Sequence, residues 1–401
     1  MLLIDWYLYS GFKVLIKSGL PKTQQCLKIG YWSLSFLNII VLIIFHSIPS
    51  NAFWGLKTGI ATFLFGQYFS KIIWIVFLIM DDLIRLVKLV IRQFSSKSAS
   101  VNGTALSRSE FIVKIGMWAG AGMISALSWG IFKGAYDYRV RRRSIVLKNL
   151  PPSFDGFKIV QISDIHAGSF WDTNAVMKGV QMVLDQKADV IFFTGDLVNN
   201  QASEMEPYIE VFNKIKAPHG VFSIFGNHDY GDYIEWPSPE AKIQNLESLK
   251  QIHKNLGWRL LMNEHERITI GNDSIGVLGI ENWGNKAHFP RYGKMKEAIK
   301  GTEDLPVKLL LSHDPSHWRG QVLKEYPDID VVFAGHTHGM QFGVEIGKYK
   351  WSPVKYMYPE WADLHTSGHQ HLYVNRGFGF LGYPGRFGIL PEITVIELKR
   401  G

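Results

Sequence analysis

Five short segments between residues 164 and 338 each place metal-type ligands directly after an apolar run: Asp164 and His166, Asp196, Asn227 with His228, His313, and His336 with His338. Carboxylate, carboxamide and imidazole groups bind divalent cations, and no cysteine stands in this part of the chain, so the donors are nitrogen and oxygen only. Such a set suits Mn, Fe, Zn or Mg rather than a thiolate-seeking metal, without choosing among them. Two aspartates, an asparagine and four or five histidines exceed the four ligands of a single zinc, and an aspartate can bridge two ions about 3.5–4 Å apart. The inventory predicts two divalent ions.

The elements that must position these ligands are strands. The apolar runs, 158–163, 190–194, 221–225, 307–312 and 329–334, read as buried parallel strands, because continuous β-branched and aliphatic stretches fit a sheet covered on both faces. Ligands then gather outside the carboxyl ends of the strands, where open α/β sheets build their sites. Gly195, Gly226 and Gly335 stand just before ligands and let those turns bend sharply. Between the blocks, 181–187, 207–216 and 239–256 have helical spacing and cover the sheet. A second, mostly antiparallel set of strands is expected at 267–270, 274–280, 371–374 and 393–398, which gives an α/β fold of four layers.

The ordered series Asp164-Ile165-His166, Gly195-Asp196, Gly226-Asn227-His228-Asp229, Ser312-His313 and Gly335-His336-Thr337-His338 resembles the calcineurin-like metallophosphoesterase superfamily, over residues from about 145 to 401. Within it the chain is similar to the membrane-attached bacterial branch that includes YkuE-like phosphoesterases and UDP-2,3-diacylglucosamine hydrolases. The resemblance implies a four-layer αββα sandwich. It also implies that Asp164, His166 and His338 hold one metal, that Asn227, His313 and His336 hold the other, and that Asp196 bridges them. His228 would face the substrate and protonate the leaving oxygen or stabilise the transition state. Two cations would share a hydroxide, since coordination lowers the pKa of water from about 15.7 towards ~7, and no serine or cysteine nucleophile is needed. One departure is Asn199, where many relatives carry an aspartate that hydrogen-bonds the catalytic histidine. An asparagine orients an imidazole but does not favour the imidazolium as a carboxylate does, so Asp229 is an alternative partner. The contrasting reading keeps the fold as a membrane-anchored binding or scaffold protein without turnover.

Arg376 and Arg386 are the candidates to grip a phosphate bidentately. The segment 351–388, dense in Trp, Tyr, Phe, Gly and Pro, forms either a hydrophobic wall beside the site or a packed cover of the sheet. His219, His253, His265, His288, His365, His369 and His371 read as surface or hydrogen-bonded groups. His317, a turn after His313, is open between structural pairing and pocket lining.

The charge tally divides the chain. Residues 1–143 hold 17 Lys+Arg against 5 Asp+Glu, and the remainder holds 26 against 30, of totals 43 and 35. A cationic, apolar front, 1–135, is thus joined to a mildly acidic catalytic domain, 136–401. A net acidic domain repels polyanions, so no nucleic acid partner is expected. In the front, 33–48, 59–80 and 111–132 are long apolar stretches, and 1–16 is a weaker one. With about 20 residues needed per crossing, three or four transmembrane helices are expected. A soluble amphipathic domain fares poorly as an alternative, because 37–45 shows no polar face at helical spacing.

Lys17, Lys22 and Lys28, then Arg85, Lys88, Arg92 and Lys97, place two loops in the cytoplasm by the positive-inside rule. The span at 111–132 then leads the domain to the external side of a bacterial inner membrane. The segment 107–112, Ser-Arg-Ser-Glu-Phe-Ile, resembles a decayed twin-arginine export signal and agrees with that side. Arg139, Arg141, Arg142 and Arg143 argue the other way, unless they are the polar face of a strand entering the domain. Cys26 is the only cysteine, which excludes internal disulfides. A serine-rich linker at 95–103 joins two membrane segments. A dimetal site with an aromatic wall, tethered to a bilayer, points to a phosphoester or pyrophosphate substrate whose other end is lipid.

Overall fold

The computed structural model describes residues 1–47, 54–94, 108–286 and 289–401. Ile48, the serine-rich segment 95–103, Ser107 and His288 lie outside the described residues. The chain forms two compact units, Met1–Trp129 and Gly130–Gly401.

The first unit is helical, with α1 (Leu2–Ile16), α2 (Pro21–Ser47), α3 (Trp54–Phe94) and α4 (Glu110–Phe132). Two helices, Pro21–Ser47 and Glu110–Tyr136, are long and apolar enough to cross a membrane. The stretch 59–80 lies within α3, whose 41 residues exceed the length of one crossing and which carries charge at Lys71. That lysine donates to the buried Asp5 at 2.6 Å, and Asp5 also accepts from Tyr68 Oη at 2.9 Å. A charge in an apolar helix is thus met by a counter-charge on α1, as burial of ions requires. Arg108, read from sequence as part of an export signal, pairs with Asp82 at 2.9 Å.

The second unit places two sheets face to face. One holds β1 (Arg139–Leu147), β2 (Lys158–Ile162), β3 (Val190–Phe193), β4 (Val221–Ser223), β5 (Arg259–Leu260) and β14 (Glu392–Arg400), in the order β1-β14-β2-β3-β4-β5. The other holds β6 (Glu264–Ile270), β7 (Asp273–Gly279), β8 (Lys308–Leu311), β9 (Val331–Ala334), β12 (Asp363–Ser367) and β13 (Gln370–Val374), in the order β12-β13-β9-β8-β7-β6. A separate hairpin is formed by β10 (Val344–Ile346) and β11 (Tyr349–Trp351). The period of two divides each strand between two cores: Val190 and Phe192 pack between the sheets, while Ile191 and Phe193 face the helices. On the outer face of the first sheet lie α5 (Thr173–Leu184), the one-turn α6 (Ile209–Phe212) and α7 (Pro239–Leu256). Leu278, Leu310 and Val332 pack on the other outer face against Met295 in α8 (Met295–Ala298) and against Trp318 and Val322, just before α9 (Leu323–Glu325). The four-layer αββα sandwich follows from this division.

Three expectations are corrected. The five ligand-bearing strands do not share one sheet: β2, β3 and β4 lie in the first, β8 and β9 in the second. A continuous apolar run reports burial on both faces but not which sheet provides it. The second sheet is largely parallel at its centre, through β7-β8, β8-β9 and β9-β13, and the strand expected in it at 393–398 is β14 of the first sheet. The helix expected at 181–187 is α5, which begins at its N-cap Asp172, whose carboxylate accepts from Ala175 N–H at 3.0 Å. α7 starts and stops where its sequence signals stand, with Ser238 as N-cap, Pro239 in the first turn and Gly257 at the left-handed end.

Gly279 fixes how closely the sheets approach, since a Cβ there would lie 2.3 Å from Leu261 Cβ and 2.9 Å from Ile224 Cγ2. Gly279→Ala is expected to destabilise the second unit by about 1–3 kcal/mol, read as a lowered unfolding midpoint of the detergent-solubilised chain. An unchanged midpoint would show that the sheets can move apart at no cost.

Candidate metal centre

The carboxyl ends of strands from both sheets converge, and the five ligand blocks sit in the loops that leave them. These turns are sharp enough that Asp164, His166, Asp196, His336 and His338 all adopt left-handed backbone conformations, with φ between 49° and 71°. Such geometry costs a non-glycine residue about 1–2 kcal/mol, so neighbouring contacts must hold it in place. Gly195 precedes Asp196 with φ of 94°. Gly335 serves by close approach, because a Cβ there would lie 2.0 Å from Ser163 Oγ and 2.2 Å from Asp164 Oδ2.

The donors fall into two buried or nearly buried sets, Asp164-His166-His338 and Asp196-His313-His336, with the ligand atoms of each within 4.8 Å of one another. In the first, His166 Nδ1 faces Asn199 Oδ1 at 3.1 Å, which commits it as a donor. His166 Nε2 is left to face His338 Nε2 at 3.0 Å and Asp196 Oδ2 at 3.5 Å. In the second, His313 Nδ1 donates to Thr194 O at 2.7 Å. Its buried Nε2 lies 3.1 Å from Asp196 Oδ2. A neutral ring so oriented aims a lone pair at a carboxylate oxygen, which only a proton or a cation between them makes favourable. Burial alone would lower the His313 pKa, but the carboxylates of Asp196 and Asp164 raise it to about 10. This is the electrostatic signature of a cation position, and the nitrogen and oxygen donors suit divalent metals.

Asn227 joins the second set. Its Nδ2 donates to Tyr233 Oη at 2.7 Å, which turns Oδ1 towards His336 Nδ1 at 2.8 Å. The far nitrogen of His336 meets Tyr358 Oη at 3.0 Å and lies 3.7 Å from Asp314 Oδ2. One oxygen of Asp196 faces a histidine of each set, and its other oxygen accepts the His228 N–H at 2.9 Å. All seven ligand residues carried over from the resemblance are therefore brought together.

His228 lines an adjoining cavity of about 300 Å³, together with Tyr233, Phe289, Met340, Met357 and Tyr358. Its Nδ1 meets the backbone carbonyl of Asn199 at 2.8 Å, which leaves Nε2 as its free nitrogen. Asn199 thus orients both histidines, His228 by its backbone and His166 by its side chain. Asp229 does not replace it. The buried Asp229 carboxylate accepts the N–H groups of Asp196 (2.9 Å), Leu197 (2.8 Å), Val198 (3.3 Å) and Gly226 (2.8 Å).

The two arginines are placed otherwise than expected. Arg376 is buried and ion-paired to Glu392 at 2.5 Å, Glu345 at 2.9 Å and Asp363 at 3.1 Å, so its fork is occupied by carboxylates. Arg386 is buried, donates to Gly379 O at 2.9 and 2.6 Å, and places Nη2 3.1 Å from His338 Nδ1. It positions a ligand loop; neither guanidinium lines the cavity. His317 is held by Ser312 Oγ and Gln321 Oε1. His253, His265, His365, His369 and His371 are likewise hydrogen-bonded away from the cavity. Sequence reasoning passed over Asp314, although it directly follows His313, and over Tyr233 and Tyr358, whose only signal was aromatic density near the blocks.

Asp229→Asn removes the charge, sets an NH2 group against two of the four amides and loosens the turn that presents Asp196. Loss of an outer support of this kind is expected to cost about 10–100-fold in metal affinity, read as metal retained per chain after dialysis. Wild-type retention would show that the turn holds itself.

Residues 157–340 match the family model for Calcineurin-like phosphoesterase, and residues 1–135 match the one described as "Probable Calcineurin-like phosphoesterase, transmembrane domain". The metallophosphoesterase YkuE of Bacillus subtilis is 28% identical over 297 residues, which cover 69% of this chain and 95% of that protein. A Danio rerio transmembrane protein with metallophosphoesterase domain is 29% identical over 324 residues, covering 79% and 68%. The phosphodiesterase YaeI of Escherichia coli is 28% identical over 247 residues, covering 60% and 82%. Two adjoining matches and two converging donor sets lead to one conclusion: the chain belongs to the calcineurin-like phosphoesterases, metal-dependent hydrolases of phosphoric esters, and carries a transmembrane domain ahead of the catalytic one.

Proposed function

We propose that this protein is a membrane-bound dimetal phosphoesterase that hydrolyses a phosphoester or pyrophosphate bond of a lipid-linked substrate. The observation that carries the reading is Asp196 Oδ2, which faces His166 Nε2 and His313 Nε2 while the second nitrogen of each ring is held by another partner. Asp164, His166 and His338 would hold one cation, Asn227, His313 and His336 would hold the other, and Asp196 would serve both. When bound, two divalent ions neutralise charge on phosphoryl oxygens and make water nucleophilic at neutral pH.

The chain's own residues do the rest. His228, fixed at Nδ1 by Asn199 O, holds a proton at Nε2 and gives it to the leaving oxygen. A carbonyl partner stabilises the imidazolium less than a carboxylate would. Phe289, Val354, Met357 and Leu381 line the cavity with apolar surface and keep water from the part of the substrate beyond the phosphate. Arg386 acts through the His338 loop rather than on the phosphate.

The catalytic domain, residues 136–401 in this reading, lies on the external side of a multi-pass anchor of three or four spans. Lys17, Lys22 and Lys28, and Arg85, Lys88 and Arg92, then share the cytoplasmic side. The arginines after α4 have partners within the domain: Arg139 with Asp137, Arg141 with Glu345, Arg142 with Gln186 and Arg143 with Asp363, all within 2.7 Å. Charges engaged in β1 are weak topology signals.

With Mn added, the purified chain is expected to hydrolyse a bis-aryl phosphodiester or an aryl monophosphate, with at least about 100-fold loss in Asp196→Asn. Equal rates in the two proteins would sink the enzyme reading; a screen of lipid and nucleotide-sugar esters then tests the substrate. In a Cys26→Ser background, Lys300→Cys in spheroplasts is expected to react with a membrane-impermeant maleimide, and reaction only after lysis would reverse the orientation.

A further inference from the structure

The β10–β11 hairpin is built with its polarity reversed. Its register pairs Val344 with Trp351, Glu345 with Lys350 and Ile346 with Tyr349. Cross-strand partners share a face and alternate residues share a face, so Val344, Ile346, Tyr349 and Trp351 form one side, and Glu345 and Lys350 the other. The charged side is turned into the domain: Glu345 pairs with Arg141 at 2.5 Å and Arg376 at 2.9 Å, and Lys350 donates to Ala362 O at 2.8 Å. The apolar side is turned outwards, with Ile346 74% and Tyr349 63% exposed. A hairpin on a purely water-facing surface has the opposite arrangement, because apolar surface is stabilised by burial and ions by hydration.

Further apolar side chains are exposed just before and after the hairpin in the chain. Tyr356 is 75%, Met357 55% and Met340 50% exposed, and both methionines also line the cavity beside the metal ligands. Lys348 and Lys355 are exposed among these residues, and Lys355 Nζ lies 5.1 Å from the Tyr356 ring. Several large apolar side chains exposed within one short stretch of chain mark an interaction site. Tyrosines, with an apolar ring and a polar tip, and lysines, with a long apolar stem and a charged end, match the boundary between acyl chains and anionic headgroups.

We propose that this face, formed by the hairpin and the Tyr356–Met357 turn, docks onto the surface of a lipid bilayer containing anionic lipids and brings the mouth of the cavity against it. The occupant is a bilayer because the same chain carries two helices long enough to cross one, and because an exposed cation of the patch, Lys355, is a lysine set beside an aromatic ring. The docking does not depend on turnover, so its test stands apart from that of the proposed hydrolysis.

The test uses the full chain with Cys26→Ser, reconstituted in vesicles of phosphatidylglycerol and phosphatidylethanolamine. An environment-sensitive fluorophore is attached at Ile346→Cys, and in a second protein at Ile243→Cys, an exposed position on α7. Lys348→Cys, beside Gly347 at the hairpin turn, replaces the first position if labelling there disturbs folding. Docking predicts blue-shifted emission at 346 or 348, with several-fold greater quenching by spin-labelled lipid than at 243 and weaker quenching by aqueous iodide. Equal iodide quenching at both positions, without lipid quenching, would overturn the proposal. So would energy transfer between labelled copies without lipid quenching, which would make the face a contact between two chains. Protection from iodide that persists unchanged in detergent would overturn it too, since the cover would then be part of the chain itself.

Discussion

Four backbone N–H groups converge on the buried carboxylate of Asp229, and the metal centre depends on that convergence. Three of the four belong to the turn that carries Asp196 and one to Gly226 in the next loop, so a single side chain ties two strand ends together. Burial and the neighbouring Asp196 push the Asp229 pKa up to about 7, and the N–H groups act against that rise; hydrogen bonds to the ionised form are worth about 1.5–3 kcal/mol each. That magnitude matches the cost of placing Asp196 in left-handed backbone. Glu204 repeats the device one step outwards, accepting the N–H groups of Asn199 at 2.6 Å, Asn200 at 3.0 Å and Gln201 at 3.0 Å. Asn199 is thereby fixed, and with it the orientation of two histidines.

The ligands are tuned as well as placed. Thr194 O selects the tautomer of His313, Asn199 Oδ1 that of His166, and Tyr233 turns the carboxamide of Asn227. Each contact leaves the correct lone pair facing the centre before any ion arrives, so binding requires little rearrangement. The same contacts explain why the site is assembled from two sheets: Thr194 follows a strand of the first, while His313 follows one of the second.

Much of this was legible in the residues. Ligands after apolar runs, with glycine just before several of them, revealed the strand ends, the donor set and the class of chemistry, because those signals are local. The division of β2, β3 and β4 from β8 and β9 was not legible, since burial on both faces looks the same in either sheet. Arg376 and Arg386 misled for a related reason. A basic residue in a glycine-rich segment has no sequence mark that tells a free guanidinium from one already held by Glu392 or by backbone carbonyls. Asp229 and Asn199 were noticed for their side chains, whereas the four amides that Asp229 gathers and the carbonyl by which Asn199 holds His228 are backbone groups that sequence does not display. Asp172, by contrast, had a readable capping position and was passed over in favour of the later apolar spacing.

The strand β14 lies between β1 and β2, parallel to the first and antiparallel to the second. Residues 139–147 and 158–162 are thus neighbours only through a segment made more than two hundred residues later. During synthesis the helical unit emerges first, and the first sheet stays open between β1 and β2 until residues 392–400 arrive. Closure by so distant a partner is slow, because a long loop must be ordered before the pairing forms. The hydrolytic centre, whose ligands straddle both sheets, is therefore among the last parts of the protein to mature, well after its anchor has been made.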